Sequence, residues 1–303
     1  MSCNSGNSSG DSKNGLHEEI SISGAFALYP LTVKWAEEFQ KLHPGVHIDI
    51  SAGGAGKGLA DALAKVVDLG MFSRGITDEE KAKGTWWIAV AKDAVLPTIN
   101  AKNPVLDEIK KQGVTRQQFI DIYITQKIRT WGELVKSSNN KPINVFTRSD
   151  ACGAAEMWGK YLQANQESLM GTGVLGDPGI ADAVKNDINS IGYNNVIYAY
   201  DINTQKVYPG IEVIPIDINE NGKIDEEENI YNNLSSVIQA IKDNRFPSPP
   251  ARDLYFVSNG KPQKEVVTKF LEWIITEGQQ YVAESGYVSL SEETLDAEMK
   301  KLQ

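Results

Sequence analysis

Apolar and polar positions repeat with two different periods in the first quarter of the chain. They alternate every second residue at 20–22 and again at 46–50, which predicts two strands. Between them, apolar residues recur every three or four positions from Leu31 to Leu42, which predicts a helix that stops at His43-Pro44-Gly45. A helix at 59–66 and a strand at 67–72 follow. This order is typical of an α/β sheet, which binds ligands at the carboxyl ends of its strands.

The rest of the chain continues the same rhythm. Helices are predicted at 105–112, 116–123, 151–162 and 234–243, strands at 143–149 and 253–258, and a strand or hairpin at 190–201. Residues 264–301 are predicted to be helical, with breaks at Gly278 and at 285–291. We predict two α/β lobes, with the C-terminus returning to the first. The predicted division is a flexible tether at 1–17, lobe 1 at 18–93 plus 256–303, and lobe 2 at 94–255.

Composition narrows the function classes. The 303 residues are 41% apolar, enough for two cores, and no apolar run reaches the 18 residues of a membrane span, so the body is expected to be soluble. Asp and Glu number 40 against 30 Lys and Arg, giving a net charge of −10. This balance disfavours nucleic acid as a partner, because phosphate backbones need a basic surface. The three histidines all lie near the N-terminus, which leaves little for a histidine-based catalytic centre.

The N-terminal segment MSCNSGNSSGDSKNG has nothing to bury and is predicted to be flexible. It has two interpretations. It is a cloning remnant followed by a tail, or it is the start of a mature lipoprotein in which Cys3 carries the lipid and the Ser/Asn/Gly tract is the tether. We favour the lipoprotein, which places the protein outside the cytoplasm, in the periplasm or at the cell surface, with its only membrane attachment at Cys3.

Three turns rich in glycine and alanine each lead from a predicted strand into a predicted helix. We call them the first turn (23–28), the second turn (52–58) and the third turn (149–154). Small residues let backbone N–H groups point outward together, and a helix N-terminus adds partial positive charge, so such turns bind anions. Arg148 precedes the third turn and offers a fixed fork for oxyanions, which Asp150 could orient. The alternatives are tight packing for the glycines and a surface ion pair for Arg148.

The segment IDINENGKIDEEE has the spacing of a calcium-binding loop. The segment that enters it reads as a strand, and there is no second loop with which to pair, so a calcium sensor is not expected. We predict a structural calcium ion; the alternative is a solvated turn rich in Asn and Gly. The predicted ligands are Asp217, Asn219, Asn221, the carbonyl of Lys223, Asp225 and Glu228, with Gly222 at the sharp turn.

The order SGAFALYP, SAGGAGKG, VDLGMFSR, TRSDACGA and SIGYNNVIYAYD resembles the periplasmic phosphate-binding proteins of ABC transporters, over residues 20–287. The resemblance implies a type II-like periplasmic-binding-protein fold, with mixed sheets flanked by helices, hinge strands between two lobes, and closure on a dehydrated phosphate. It also implies these anion contacts: Ala25, Phe26, Ala27, Gly54, Ala55, Ser73 or Arg74, Arg148, Cys152, Gly153 and Ala154.

The turns depart from that family in their side chains. The family usually has Ser or Thr in the first turn, where this chain has Ala25, Phe26 and Ala27, and a Ser where it has Gly54. The family pattern Arg-Ser-Asp-x-Ser-Gly-Thr reads Arg-Ser-Asp-Ala-Cys-Gly-Ala here, and an Asp used by some members is replaced near Ser73. Each lost hydrogen bond to a charged ligand is worth about 1.5–3 kcal/mol. Phosphate is therefore the first choice, and molybdate, tungstate, sulfate and phosphonates stay open.

Catalysis is not expected. Cys152 at a helix N-terminus has the setting of an activated nucleophile, but no histidine lies nearby in sequence, and the motifs G-x-S-x-G and H-E-x-x-H are absent. We expect a monomeric extracytoplasmic solute-binding protein that delivers an inorganic oxyanion to the permease of an ABC importer. The alternative is a secreted calcium-dependent hydrolase or adhesion module.

Overall fold

A computed structural model describes residues 18–303. The predicted tether and Cys3 lie outside these residues. The described part forms nine strands: β1 Glu18–Gly24, β2 Val46–Ala52, β3 Leu69–Phe72, β4 Thr85–Asn100, β5 Asn144–Arg148, β6 Thr172–Val174, β7 Ser190–Asn195, β8 Ile211–Val213 and β9 Ala251–Asn259. Its α-helices are α1 Tyr29–Leu42, α2 Ala55–Leu63, α3 Asp78–Ala82, α4 Leu106–Gln112, α5 Arg116–Tyr123, α6 Trp131–Val135, α7 Gly153–Tyr161, α8 Gly176–Asn186, α9 Val196–Ala199, α10 Leu234–Lys242, α11 Glu265–Ile275, α12 Gln280–Glu284 and α13 Glu292–Leu302.

The strands pair in the order β2-β1-β3-β9-β4-β7-β5-β6, and β8 also pairs with β4. The pairs of β1 with β2 and β3 are parallel, as are those of β5 with β6 and β7, whereas β9 and β4 run antiparallel to their neighbours. The 16-residue β4 joins the two halves. Its first part, from Thr85 to Ala94, pairs with β9, and the next part, from Val95 to Ile99, pairs with β7.

Two hydrophobic cores lie on either side of this crossing. The first packs β1, β3, α1 and α11 around Trp35, Phe39 and Phe270, and we call this part lobe 1. The second packs β7, α5 and α7 around Trp158, and we call it lobe 2. Along β9 the core changes between Ala251, in lobe 2, and Leu254, in lobe 1. The residue boundaries predicted for the lobes stay a prediction.

The predicted elements are found close to their expected positions. Three of the short helices, α3, α5 and α6, begin at capping boxes in which a threonine and a Glu or Gln three residues later satisfy each other's backbone N–H groups. The segment at 190–201 is β7 followed by α9 and not a hairpin, because Asp177 accepts the N–H of Asn195 where the strand ends. Within residues 18–303, no helix has both the length and the apolar character to cross a membrane.

Candidate functional site

The three turns meet where lobe 1 faces lobe 2. The second and third turns are joined directly, since the N–H of Gly56 donates to the carbonyl of Ala151 at 3.0 Å. A Cβ on Gly54 would lie 2.7 Å from Oδ2 of Asp150, and one on Gly153 would lie 2.5 Å from the carbonyl carbon of Ser73. Side chains at these positions would hold the lobes apart. The glycines are therefore required by the contact between the lobes.

Three of the predicted anion donors are already in use. The N–H of Ala25 donates to Met71 O at 2.9 Å, that of Gly54 to Gly24 O at 3.0 Å, and that of Cys152 to Oε1 of Gln166 at 3.1 Å. These bonds hold the turns against their own lobes. These three N–H groups therefore shape the turns, and the anion contacts predicted for Ala25, Gly54 and Cys152 stay a prediction.

Besides those of Lys57, Asp150 and Ala151, five other N–H groups of the turns find no acceptor within residues 18–303. Leaving a buried donor unpaired costs about 1–3 kcal/mol, so such a set fits a site that awaits a ligand with acceptors. Two of the five stand at the first residues of α2 and α7, where the helix adds partial positive charge. The five belong to Phe26, Ala27, Ala55, Gly153 and Ala154, all of which the sequence predicted, and all but Phe26 are buried.

The first turn is held from behind by two tyrosines. The hydroxyl of Tyr198, on α9, donates to the carbonyl of Phe26 at 3.1 Å, and that of Tyr287 donates to the carbonyl of Ala27 at 2.8 Å. Both carbonyl oxygens are thereby occupied. Neither tyrosine could be predicted from the sequence, since hydrogen bonds across 172 and 260 residues leave no local pattern.

Arg148 ends β5 and is almost completely buried, with 1% of its side chain exposed. As predicted, Asp150 orients its fork, with Nε to Oδ1 at 2.7 Å and Nη2 to Oδ2 at 2.5 Å. Its Nη1 also donates to Oδ2 of Asp177 at 2.6 Å, and the ring of Phe26 lies 5.4 Å from the guanidinium carbon. Asp177 was not predicted, because an Asp in the first turn of a helix is ordinary. Arg148 is thus balanced by two carboxylates.

The network continues to a second arginine. Asp177 accepts the N–H of Asn195 at 3.0 Å, and the side chain of Asn195 accepts from Nη2 of Arg252. Nε of Arg252 donates to the carbonyl of Ser73 at 3.3 Å. We call Arg148, Asp150, Asp177, Asn195 and Arg252 the buried network. The sequence analysis missed Arg252, although an arginine near the start of a strand whose residues 251–257 include only one other charge, Asp253, was a signal that could have found it.

The structure separates Ser73 from Arg74, which the sequence left as alternatives. Ser73 is buried beside Gly153 at the junction of the lobes. Arg74 pairs with Glu80, Nη2 to Oε1 at 2.6 Å, and its guanidinium lies over the ring of Phe72. The charge of Arg74 is therefore used inside lobe 1, and Ser73 is the member of the pair that lies at the site.

Cys152 caps helix α7. Its Sγ accepts the N–H of Ala155 at 3.4 Å, as a Ser or Asp side chain does at other helices. Burial raises the pKa of the thiol to about 12, although the nearby Arg148 acts to lower it. The thiol is therefore protonated at neutral pH and is a poor nucleophile.

The calcium-like loop has the predicted backbone path, with Gly222 in the left-handed region at φ 81°. Its two ends are buried carboxylates. Asp217 accepts the N–H groups of Asn221 and Gly222 at 3.2 and 2.9 Å, and Glu228 accepts those of Ile218 and Asn219 at 2.8 and 3.0 Å. As predicted, the entering segment is a strand, β8, and not a helix.

The predicted ligands are oxygen donors of the kind that calcium binds, but their arrangement in this structure is not that of a calcium site. In residues 18–303, no three side chains of His, Cys, Asp or Glu form a group that could hold a metal ion. Asp225 is instead paired with Lys223: Nζ of Lys223 lies 2.6 Å from its Oδ1 and, with the amides of Asn219 and Asn221, lowers the pKa of Asp225 to about 2. Gathering the predicted ligands would require Lys223 to leave Asp225.

Comparison with known proteins gives a consistent result. The phosphate-binding protein PstS of Pseudomonas aeruginosa is 26% identical over 95% of this chain and 88% of its own length. PstS of Staphylococcus aureus is 25% identical, over 99% and 86%. A phosphate ABC transporter substrate-binding protein of Clostridium perfringens, solved with bound phosphate, matches with a TM-score of 0.73 at 24% identity, over 90% of this chain and all of that one.

The structural match confirms the predicted fold, two α/β lobes with mixed sheets flanked by helices. The relatives are substrate-binding proteins and not enzymes, which agrees with the capping role of Cys152. A family model for the PBP superfamily domain matches residues 7–277. The chain therefore belongs to the PBP superfamily of solute-binding proteins.

Proposed function

We propose that this protein captures inorganic phosphate outside the cytoplasm and delivers it to an ABC importer. The observation that carries the proposal is the set of five backbone N–H groups without acceptors, gathered from three turns at the junction of the lobes. Backbone donors suit an oxyanion, since they point at the ligand and need no reorganisation. The PstS relatives, which are named for phosphate, make it the first choice among tetrahedral oxyanions.

The direct test is calorimetry on ligand-stripped protein with phosphate, sulfate, molybdate and tungstate. We expect phosphate to bind most tightly. A protein that binds none of the four would overturn the proposal, and one that prefers another of them would change the ligand but not the class.

A proline variant tests the donors themselves. Ala55 is the first residue of α2, a position where proline is well tolerated because the helix does not need its N–H. Ala55→Pro should weaken phosphate binding by about 10- to 100-fold, the loss of one charge-assisted hydrogen bond of about 1.5–3 kcal/mol. Glu292→Pro, at the exposed first position of α13, is the matched control and should bind as wild type. Equal affinities for the two variants would remove Ala55 from the site.

The cellular setting follows from the same proposal. The partner would be the membrane permease of an ABC transporter, and the protein would act as a monomer. A lipid on Cys3 followed by the Ser/Asn/Gly tract would keep it at the membrane surface. Intact mass and detergent partitioning of the protein from its own host would test the anchor, and an unmodified, water-soluble mature protein would exclude it.

We also propose that the loop Asp217–Glu228 binds one structural calcium ion. The loop packs against the end of α4 and its connection to α5, with the N–H of Ile224 donating to Lys111 O at 2.9 Å and that of Asp217 to Val114 O at 3.2 Å. Calcium would draw the loop carboxylates together and fix this connection. Its role is stability and not regulation, because no pair of helices flanks the loop.

Thermal unfolding with calcium or chelator tests the calcium proposal. A site occupied at a hundred times its dissociation constant adds about 2.7 kcal/mol to the free energy of unfolding. Chelator should lower the melting temperature of wild type and of the control Glu226→Gln, whose side chain is exposed, but not that of Glu228→Gln. Calcium-independent melting of wild type would refute the site, and a loss of phosphate binding in chelator would point to regulation.

A further inference from the structure

Asp93 and Arg252 face each other on the two strands that pass between the lobes. They are partners in the β4–β9 ladder, and both are buried, with 1% and 8% of their surfaces exposed. Their closest charged atoms, Oδ2 of Asp93 and Nη1 of Arg252, are 3.5 Å apart. The next pair along the ladder, Lys92 and Asp253, lies on the opposite face and is partly exposed. A buried ion pair therefore sits in the hinge strands, behind the anion site.

This pair is poorly satisfied. Neither carboxylate oxygen of Asp93 nor Nη1 of Arg252 has a hydrogen-bond partner in good geometry within residues 18–303, although the backbone N–H groups of Ala94 and Val196 lie close enough to Asp93 to lower its pKa. The other nitrogens of Arg252 do have partners, Ser73 O and the side chain of Asn195. A buried ion pair repays its desolvation only when further hydrogen bonds satisfy it. Arg252 is therefore tied more firmly to the anion site than to its own carboxylate.

The charges at the junction do not balance. Two arginines, Arg148 and Arg252, stand against three aspartates, Asp93, Asp150 and Asp177, which leaves one negative charge in a buried region. An entering anion would meet net repulsion there. Protonating Asp93 removes this excess and leaves the charge of Arg252 without a counter-ion beside Ser73.

We propose that binding of an oxyanion is accompanied by uptake of one solvent proton by Asp93, so that Arg252 becomes the cation that compensates the ligand. This inference rests on the proposed function and names a further residue that sets its affinity. The balance is simple: a carboxylate and a proton from the buffer become a carboxylic acid, and no covalent bond to the ligand forms.

The surroundings of Asp93 favour such a proton. The groups that act on it are Arg252 from β9, Asp177 from α8, Tyr198 from α9 and Tyr287 near the C-terminus. Burial, with a contribution from Asp177, raises the pKa of Asp93 to about 6, although Arg252 acts to lower it. Asp93 is thus mostly ionised at pH 7.5 in the free protein, but its pKa is close enough to this pH for it to be protonated when an anion binds.

The pH dependence follows with a definite sign. A negative ligand raises the pKa of Asp93 further, so the bound form holds a proton that the free form has lost. Affinity should be constant below pH 6 and should fall as the pH rises above it, by up to about tenfold per unit. In Asp93→Asn the side chain is neutral at every pH, so this contribution should be absent.

Calorimetry with inorganic phosphate from pH 5.5 to 8.5 tests the proposal. The ligand's own titration is common to all variants and cancels in the ratio of affinities. We expect Asp93→Asn to bind about as tightly as wild type at pH 5.5 and at least tenfold more tightly at pH 8.5. Asp253→Asn, which removes the exposed carboxylate of the neighbouring pair, should keep the wild-type ratio at every pH.

The outcomes are distinguishable. Parallel pH profiles for wild type and Asp93→Asn overturn this inference and leave the proposed function standing, whereas a wild type that binds no phosphate at any pH overturns the proposed function. If Asp93→Asn does not fold, the infrared difference spectrum of wild type decides. Binding of phosphate at pH 7.5 should produce a band of a protonated carboxyl group, and its absence overturns the inference.

Discussion

Replacing Gly153 with alanine should prevent the lobes from meeting while leaving each of them folded. The added Cβ would lie 2.5 Å from the carbonyl carbon of Ser73 and closer still to its carbonyl oxygen, well inside the 3.0 Å that real Cβ atoms keep. The carbonyl oxygen cannot move aside, because it belongs to the backbone and accepts a hydrogen bond from Arg252. The only relief is separation of the lobes.

Three glycines at which an added Cβ would overlap its neighbours to different degrees, or not at all, allow the size of the effect to be predicted. An extra methyl in a packed contact costs about 1–3 kcal/mol, so Gly153→Ala, at the top of that range, should weaken phosphate binding by about 150-fold. A Cβ on Gly56 would lie 2.9 Å from Cβ of Ala151, a milder overlap, so Gly56→Ala should cost about 1 kcal/mol, or about fivefold. Gly75 has nothing within 4 Å of an added Cβ and serves as the control.

Calorimetry with phosphate gives the three affinities, and small-angle scattering reports whether phosphate still makes the protein more compact. The melting temperature without ligand should change little in any of the variants, because the overlaps lie between the lobes and not inside their cores. If Gly153→Ala binds as wild type does, or if the affinities do not follow the order of the overlaps, the contact between the third turn and Ser73 does not form around the ligand.

Two further predictions concern the charges. Arg148→Ala leaves Asp150 and Asp177 buried without a counter-ion, so it should lose phosphate binding and about 3–5 kcal/mol of unfolding free energy in urea. Adding Asp177→Asn should restore part of the stability. An unchanged urea midpoint in the single variant would argue against the pairing. Asp93 has a pKa of about 6 in the folded protein, which is higher than in the unfolded chain. The free energy of unfolding should therefore fall by about 3 kcal/mol, relative to Asp93→Asn, as the pH rises from 3.5 to 6.5. Parallel stability curves for the two proteins in phosphate-free buffer would contradict this.

Local patterns were enough to predict the three turns and the elements beside them, but not the strand β4 that joins the lobes or the helix α8 that carries Asp177. Each turn is marked in the sequence by small residues between a segment with the apolar pattern of a strand and one with that of a helix. All three turns lead from a strand into a helix at the expected places. The calcium-like loop is likewise a local pattern, and its backbone follows the expected path. The sequence could not show which N–H groups of the turns donate to acceptors within the protein. Ala25 and Ala27 look equivalent in sequence, yet Met71, 46 residues away, takes the N–H of only the first.

The charges were harder to predict for the same reason. Arg148 and Asp150 are two residues apart, so their ion pair could be predicted from the sequence. Asp177 and Arg252 join the site only because β5, α8 and β9 converge in three dimensions. The structure shows that the side chain of Arg148 balances two buried carboxylates, so Arg148→Ala is expected to weaken the fold as well as the site.

The two tyrosines behind the first turn have a consequence for how fast and how selectively a ligand is held. A peptide group is a rigid plane in which the C=O and the following N–H point in opposite directions. By gripping the oxygen of Phe26, Tyr198 therefore sets the direction of the Ala27 N–H. The peptide dipole is oriented before any ligand arrives, so no binding energy is spent on turning it. Because Tyr198 lies on α9, which follows β7 of lobe 2, and packs against the core of lobe 1, its hydrogen bond to Phe26 also ties the first turn to the junction of the lobes.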